Sequence, residues 1–193
     1  DLIKIYRDEI ADAAAAGARY IQFDEVPLAM LCDPSLREAL QVDGEDPGRR
    51  VNQYIDLMNA CFRDRGEVTI GLHLCRGNFK SAWVAQGGYE PVADILFNEM
   101  AVDGFFLEYD DERSGDFAPL RHVPEAKTVV LGLMSSKHPE VETARAIKQR
   151  IVEASRFVDI GQCALSHQCG FSSTAHGNEI SEDDQWRKIA RCV

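Results

Sequence analysis

The chain has 193 residues, 45% of them hydrophobic, which suits one globular α/β domain with a real core rather than two full domains. Its 32 acidic against 21 basic residues leave a formal charge of −11, which argues against nucleic acid and anionic membranes, since phosphates demand a basic face. No apolar run approaches the roughly 18 residues of a membrane span, no charged-then-apolar signal region follows Asp1, and six scattered cysteines make no compact disulfide framework; a cytoplasmic protein with reduced thiols is expected.

In chain order, helical spacing comes first, over 3–16. A strand over 20–23 follows and runs into Asp24-Glu25-Val26-Pro27. Residues 49–63 place Val51, Tyr54, Ile55, Met58 and Phe62 at helical intervals. A second strand, 68–72, ends in His73-Leu74-Cys75, and a helix over 90–100 carries Val92, Ile95, Leu96 and Met100. The third strand, 104–107, ends at Glu108, and the fourth, 128–133, leads into Ser135-Ser136-Lys137-His138. Pro139 suits the first turn of a helix reaching 155, where a missing N–H costs nothing. A fifth strand over 157–165 precedes Cys169, and Ser181 with Asp184 three residues later caps a final helix.

These strands are apolar on both faces and alternate with helices, the pattern of a parallel sheet covered by helices. No Gly-x-Gly-x-x-Gly follows the first strand, so a dinucleotide fold has no positive support. A closed (β/α)8 barrel of the TIM type takes about 250 residues. Residues 1–193 are therefore expected to form a partial β/α barrel, about the last five strand–helix units, with the N-terminal part of the barrel missing.

In a parallel sheet all the strand ends lie on one face, where α/β active sites gather. His73 and Cys75, two apart in extended chain, project together. With Glu108 and Cys169 they make a ligand set of imidazole, carboxylate and two thiolates that suits zinc. Spread over three strand ends, the set fits a catalytic metal better than a zinc finger, and Glu108 is the donor expected to yield to a substrate thiol. Metal charge would bring that thiol far below its free pKa of about 8.5 and prepare it to attack an electrophilic carbon. Singly, each of the four residues is commonplace.

The motifs His73-Leu74-Cys75-Arg76-Gly77-Asn78, Phe106-Leu107-Glu108-Tyr109-Asp110, Leu131-Gly132-Leu133 with Ser135-Ser136-Lys137, and Gln168-Cys169-Gly170-Phe171 occur in this order in a known group. Together they resemble the catalytic domain of cobalamin-independent methionine synthase and its shorter relatives, from about Tyr20 to Trp186. The resemblance implies a β/α barrel with zinc held by His73, Cys75, Glu108 and Cys169, and methyl transfer from a methylated folate to homocysteine. It puts Asp24 where the amino group of the amino-acid substrate binds. Arg76, Asn78, Tyr109, Asp110 and Arg113 line the same mouth by position. Either Lys137 or His138 stands where the synthases have the histidine thought to donate a proton. Two alternatives stay open: a lyase that opens epoxides with coenzyme M on the same zinc, and a zinc-binding relative without activity. His122 and His176 read as surface residues, Trp83 and Trp186 as packing residues, and the other four cysteines as structural thiols.

Overall fold

The computed structural model describes residues 1–172 and 174–193. Seven α-helices and five strands follow one another along them: α1 Leu2–Ala15, β1 Tyr20–Glu25, α2 Pro27–Met30, α3 Pro34–Val42, α4 Pro47–Cys61, β2 Thr69–Leu74, α5 Glu90–Glu99, β3 Gly104–Glu108, β4 Thr128–Met134, α6 Ala144–Ala154, β5 Cys163–His167 and α7 Glu182–Cys192, with 3-10 turns alone between β3 and β4. All neighbouring strands are parallel, and sheet order follows chain order. The fold is of the β/α-barrel type, represented by five strands.

Ladder register sorts the side chains onto two faces. Leu72 pairs with Phe105, Phe105 with Val129, Leu74 with Leu107 and Leu107 with Leu131. These residues face the helices and merge with Ile55, Val92, Leu96 and Phe97 in one core. Burying each such side chain is worth roughly 1.5–3 kcal/mol, and this is what holds helices to sheet. The alternate residues, Asp24, His73, Phe106 and Val130, form a row across the other face. β2, β3 and β4 are almost wholly buried, whereas β1 alternates between exposed and half-buried residues up to the buried Glu25, and β5 is mostly half-buried.

The expected elements are present, with instructive shifts. α4 begins two residues before the expected start, because the Asp46 side chain accepts from Gly48 N–H and Pro47 occupies the first turn. Pro139 does not open a helix: α6 begins at Ala144, capped by Thr143, whose hydroxyl accepts from Ala146 N–H. The intervening stretch is held instead by Glu142, which accepts from Ser135 N–H and from Lys188. Residues 157–162 are not strand. The Asp159 carboxylate accepts from Gly161 N–H and closes a 3-10 turn over Ile160–Gln162, so β5 starts at Cys163. Ser181 and Asp184 form the reciprocal capping box of α7. Trp186 is 58% exposed and is not a packing residue. No helix among the described residues is long and apolar enough to cross a membrane.

Candidate metal centre

The site lies at the C-terminal ends of the strands. His73 is the fifth residue of β2, on the polar face of the sheet, and Cys75 follows its last residue by one. Cys75 N–H donates to Glu25 O, which carries the parallel ladder past the strand end and holds the thiol in place. Cys169 arrives from the far side, on the loop after β5. Here the ladder slips between Gly132 and Met134, and Gln168 N–H donates to Met134 O. Gly132 is needed for that approach. A Cβ on it would lie 2.7 Å from Gln168 Cα and 2.8 Å from Leu107 O, distances no side chain tolerates.

Thus Cys75 Sγ and Cys169 Sγ stand 3.8 Å apart although 94 positions separate them in the chain. His73 Nδ1 lies 2.7 Å from Asp24 Oδ1, and Nε2 lies 3.0 Å from the Gln168 carbonyl. One donor atom each from His73, Cys75 and Cys169 falls within a 4.8 Å span. Two sulfurs and an imidazole nitrogen gathered this closely, two of the three residues buried, suit a thiophilic divalent ion such as zinc. Glu108 Oε1 approaches His73 Nε2 to 3.7 Å, but its carboxylate accepts from Arg76 N–H at 2.8 Å and from Arg113 Nη2 at 2.9 Å. The fourth expected donor is therefore adjacent to the cluster and tied to Arg113.

The electrostatics match the geometry. The bond to Cys169, then burial, raises the Cys75 thiol, and the same bond lowers Cys169. The first thiolate is favoured over the second, because ionising both would bring two like charges together. Burial would lower the His73 imidazole, but the bond to Asp24 and the charges of Cys75 and Glu108 outweigh it and leave it raised. Burial raises the Glu108 carboxyl against the pull of Arg76 N–H, His73 and Arg113. Beside the cluster a cleft of about 250 Å³ is lined by Gln22, His73, Phe106, Ser166, Gln168 and Cys169, among others.

The family model described as "Cobalamin-independent synthase, Catalytic domain" matches residues 1–191. The chain belongs to this family. YxjH and YxjG of Bacillus subtilis, both uncharacterized, are 41% and 40% identical over the whole chain, which spans 52% of each. The chain thus spans about half the length of these curated relatives. A 5-methyltetrahydropteroyltriglutamate–homocysteine methyltransferase of Thermosynechococcus vestitus is 26% identical over 90% of the chain and 20% of that enzyme. Among solved structures, a Listeria monocytogenes protein assigned as a vitamin-B12-independent methionine synthase superposes with a TM-score of 0.73. It is 33% identical, over 98% of this chain and 51% of that one. The B12-independent methionine synthase of a Shewanella species, 20% identical, shares the fold at a TM-score of 0.74 over 99% of this chain and 51% of its own.

Within this cobalamin-independent synthase domain the remaining expected site residues divide sharply. Lys137 is 1% exposed, and its Nζ donates to Gly77 O at 2.9 Å. Burial lowers its ammonium, with Glu108, Cys169 and Asp110 pulling the other way and Arg113 adding to the fall. His138, the other expected proton donor, is exposed on the loop beyond. Asn78 is buried and donates to Gly170 O at 2.8 Å, which secures the loop bearing Cys169. Asp110 is bound to Arg113 at 2.9 Å.

Arg76 and Tyr109 do not line the mouth. Strand alternation sends Tyr109 to the helix side of Glu108, where it packs against Tyr89 and Phe117. Arg76 is fully buried with its guanidinium 4.5 Å from the centre of the Tyr89 ring. Sequence reasoning missed Ser136 and Gln168. The buried Gln168 amide donates to Ser136 Oγ at 2.8 Å, and Ser136 Oγ donates to Gly170 O at 2.9 Å. Nothing in their spacing signals this. Trp83 is 47% exposed and is not a packing residue; the Arg113 guanidinium lies 5.2 Å from its ring centre. Cys163 lies at the opposite end of β5 from the site. His122 is half-buried beside Asp94, and His176 is exposed with its ring against Phe79.

Proposed function

We propose that this chain carries the metal site of a zinc-dependent thiol-alkylating enzyme that moves a methyl group from a methylated folate to homocysteine. The observation that carries this reading is the convergence of His73, Cys75 and Cys169 donor atoms within 4.8 Å at the strand ends of a cobalamin-independent synthase domain. His73, Cys75 and Cys169 would hold the zinc and Glu108 would complete the set. When bound, zinc supplies the Lewis acidity that keeps a substrate thiol deprotonated at neutral pH.

The other residues account for the rest of the chemistry. The substrate sulfur attacks the methyl carbon, a C–S bond forms, the methyl C–N bond breaks, and the electron pair left on the folate nitrogen takes a proton. Lys137 is the group we assign to hold that proton, because it is buried beside the cluster whereas His138 faces solvent. Asp24, with its side chain 62% exposed next to His73, is the carboxylate we assign to a substrate ammonium. Arg113 fixes the Glu108 carboxylate until a substrate arrives.

Metal analysis after chelator-free purification, followed by turnover with homocysteine and a methylated folate, tests the proposal. Stoichiometric zinc in the wild type, its loss in Cys75→Ser and Cys169→Ser, and formation of methionine are expected. A wild type without zinc would overturn the metal assignment. Zinc with turnover of coenzyme M and an epoxide instead would overturn the substrate assignment.

A further inference from the structure

Asp24 and His73 are direct partners in the parallel ladder between β1 and β2, so their side chains leave the same face of the sheet side by side. The contact that results, 2.7 Å from His73 Nδ1 to Asp24 Oδ1, is set by strand register and not by a chance side-chain swing. The opposite ring nitrogen points into the cluster, 3.0 Å from the Gln168 carbonyl and 3.7 Å from Glu108 Oε1. His73 is buried at 7% exposure, whereas the Asp24 side chain is 62% exposed and its one hydrogen bond among the described residues is to His73. Asp24 therefore contributes little to packing, and its contact is directed at a single ring atom.

We infer that Asp24 is a positioning residue for the metal centre: it holds the proton on His73 Nδ1, fixes the ring plane, and so presents the Nε2 lone pair to the ion. The inference rests on the zinc reading above and deepens it. A carboxylate behind a ligating imidazole raises the basicity of the ligand nitrogen and removes the freedom of the ring to turn away. This role uses one carboxylate oxygen and leaves the other for substrate. Asp24 then links the substrate contact to the metal ligand through one side chain.

Zinc affinity by competition with a chromophoric chelator, on wild type, Asp24→Ala and Asp24→Asn, gives the test. Asp24→Ala is expected to weaken zinc binding by about 10- to 100-fold, and Asp24→Asn by less, because the amide oxygen still accepts from Nδ1–H. In the zinc-loaded wild type, two-bond 1H–15N spectra of the histidine rings should show one imidazole protonated at Nδ1, with its N–H proton far downfield. Asp24→Ala should move that proton upfield. Far-UV circular dichroism identifies any variant that has not folded, and Asp24→Asn, the isosteric change, then carries the comparison. Wild-type zinc affinity in both variants, with only homocysteine binding weakened, would mean that Asp24 contacts substrate alone and would overturn the inference while leaving the zinc site standing. A wild type that takes up no zinc overturns the site and the inference together.

Discussion

The main chain of Gln168 crosses Gly132 so closely that a single added methyl group would lie 2.7 Å from Gln168 Cα. That crossing carries Cys169 to Cys75, so the smallest side chain in β4 controls whether the two sulfurs meet. Gly132→Ala should push the 168–170 loop outward at a cost of about 1–3 kcal/mol in stability. Zinc affinity should fall more than stability alone explains. Isothermal titration beside thermal unfolding checks this, and unchanged zinc binding would contradict it.

Arg113 is buried against Glu108 at 2.9 Å and Asp110 at 2.9 Å, and it also binds Asp111. Removing one side of such a pair leaves an uncompensated charge in the interior. Arg113→Leu should therefore destabilise the protein by about 3–5 kcal/mol, and the double variant Arg113→Leu with Glu108→Gln should recover a large part of that. Urea denaturation of the two single variants and the double one measures the coupling. Additive losses would show that the pair is not coupled.

Glu25 accepts from Leu28 N–H at 2.6 Å inside the β1–α2 turn, and burial pushes its carboxyl up to about 7 from 4.5. The folded chain thus binds a proton that the unfolded chain has released between those values. The contribution of Glu25 to stability is therefore expected to fall as pH rises from about 4.5 to about 7 and to be level above that window. Glu25→Gln keeps an acceptor for Leu28 and has no charge to bury. It should stabilise by on the order of 1–2 kcal/mol at about pH 8 and leave stability nearly unchanged at about pH 4. Equal gains at both pH values would mean the effect is not one of ionisation.

Lys137→Met preserves the buried stem and removes the ammonium that reaches Gly77 O. Zinc content should stay near that of the wild type, while turnover with homocysteine and methylated folate falls about 10²- to 10⁴-fold. His138→Ala, on the exposed loop, should leave turnover little changed. The reverse ranking in steady-state kinetics would return the proton to His138.

Much of this was legible in the residues themselves. The three inner strands announced themselves as continuous apolar runs because both faces are covered, and the strand-end positions of His73, Cys75 and Glu108 follow from where those runs stop. Local chemistry was readable too, as with the Ser181–Asp184 box. What stayed hidden is set by contacts between distant segments. Their neighbours in the chain put Tyr109 and Arg76 at the mouth, but alternation across a strand end and an aromatic partner 13 positions from Arg76, Tyr89, turn them into the core. Pro139 carries a helix-start signal in isolation, which the Glu142 bridge from Ser135 to Lys188 overrides. The partnership of Asp24 with His73 depends on register between two strands, and no local pattern encodes register.

The 94 positions between Cys75 and Cys169 also have a kinetic meaning. Closing a loop of that length is entropically costly and gains nothing until β3, β4 and β5 have added to the sheet in order. The two thiols are therefore expected to meet late in folding. Until then each is an unprotected nucleophile, open to alkylation or oxidation, so a pulse of thiol-labelling reagent during refolding would time the final docking of β5.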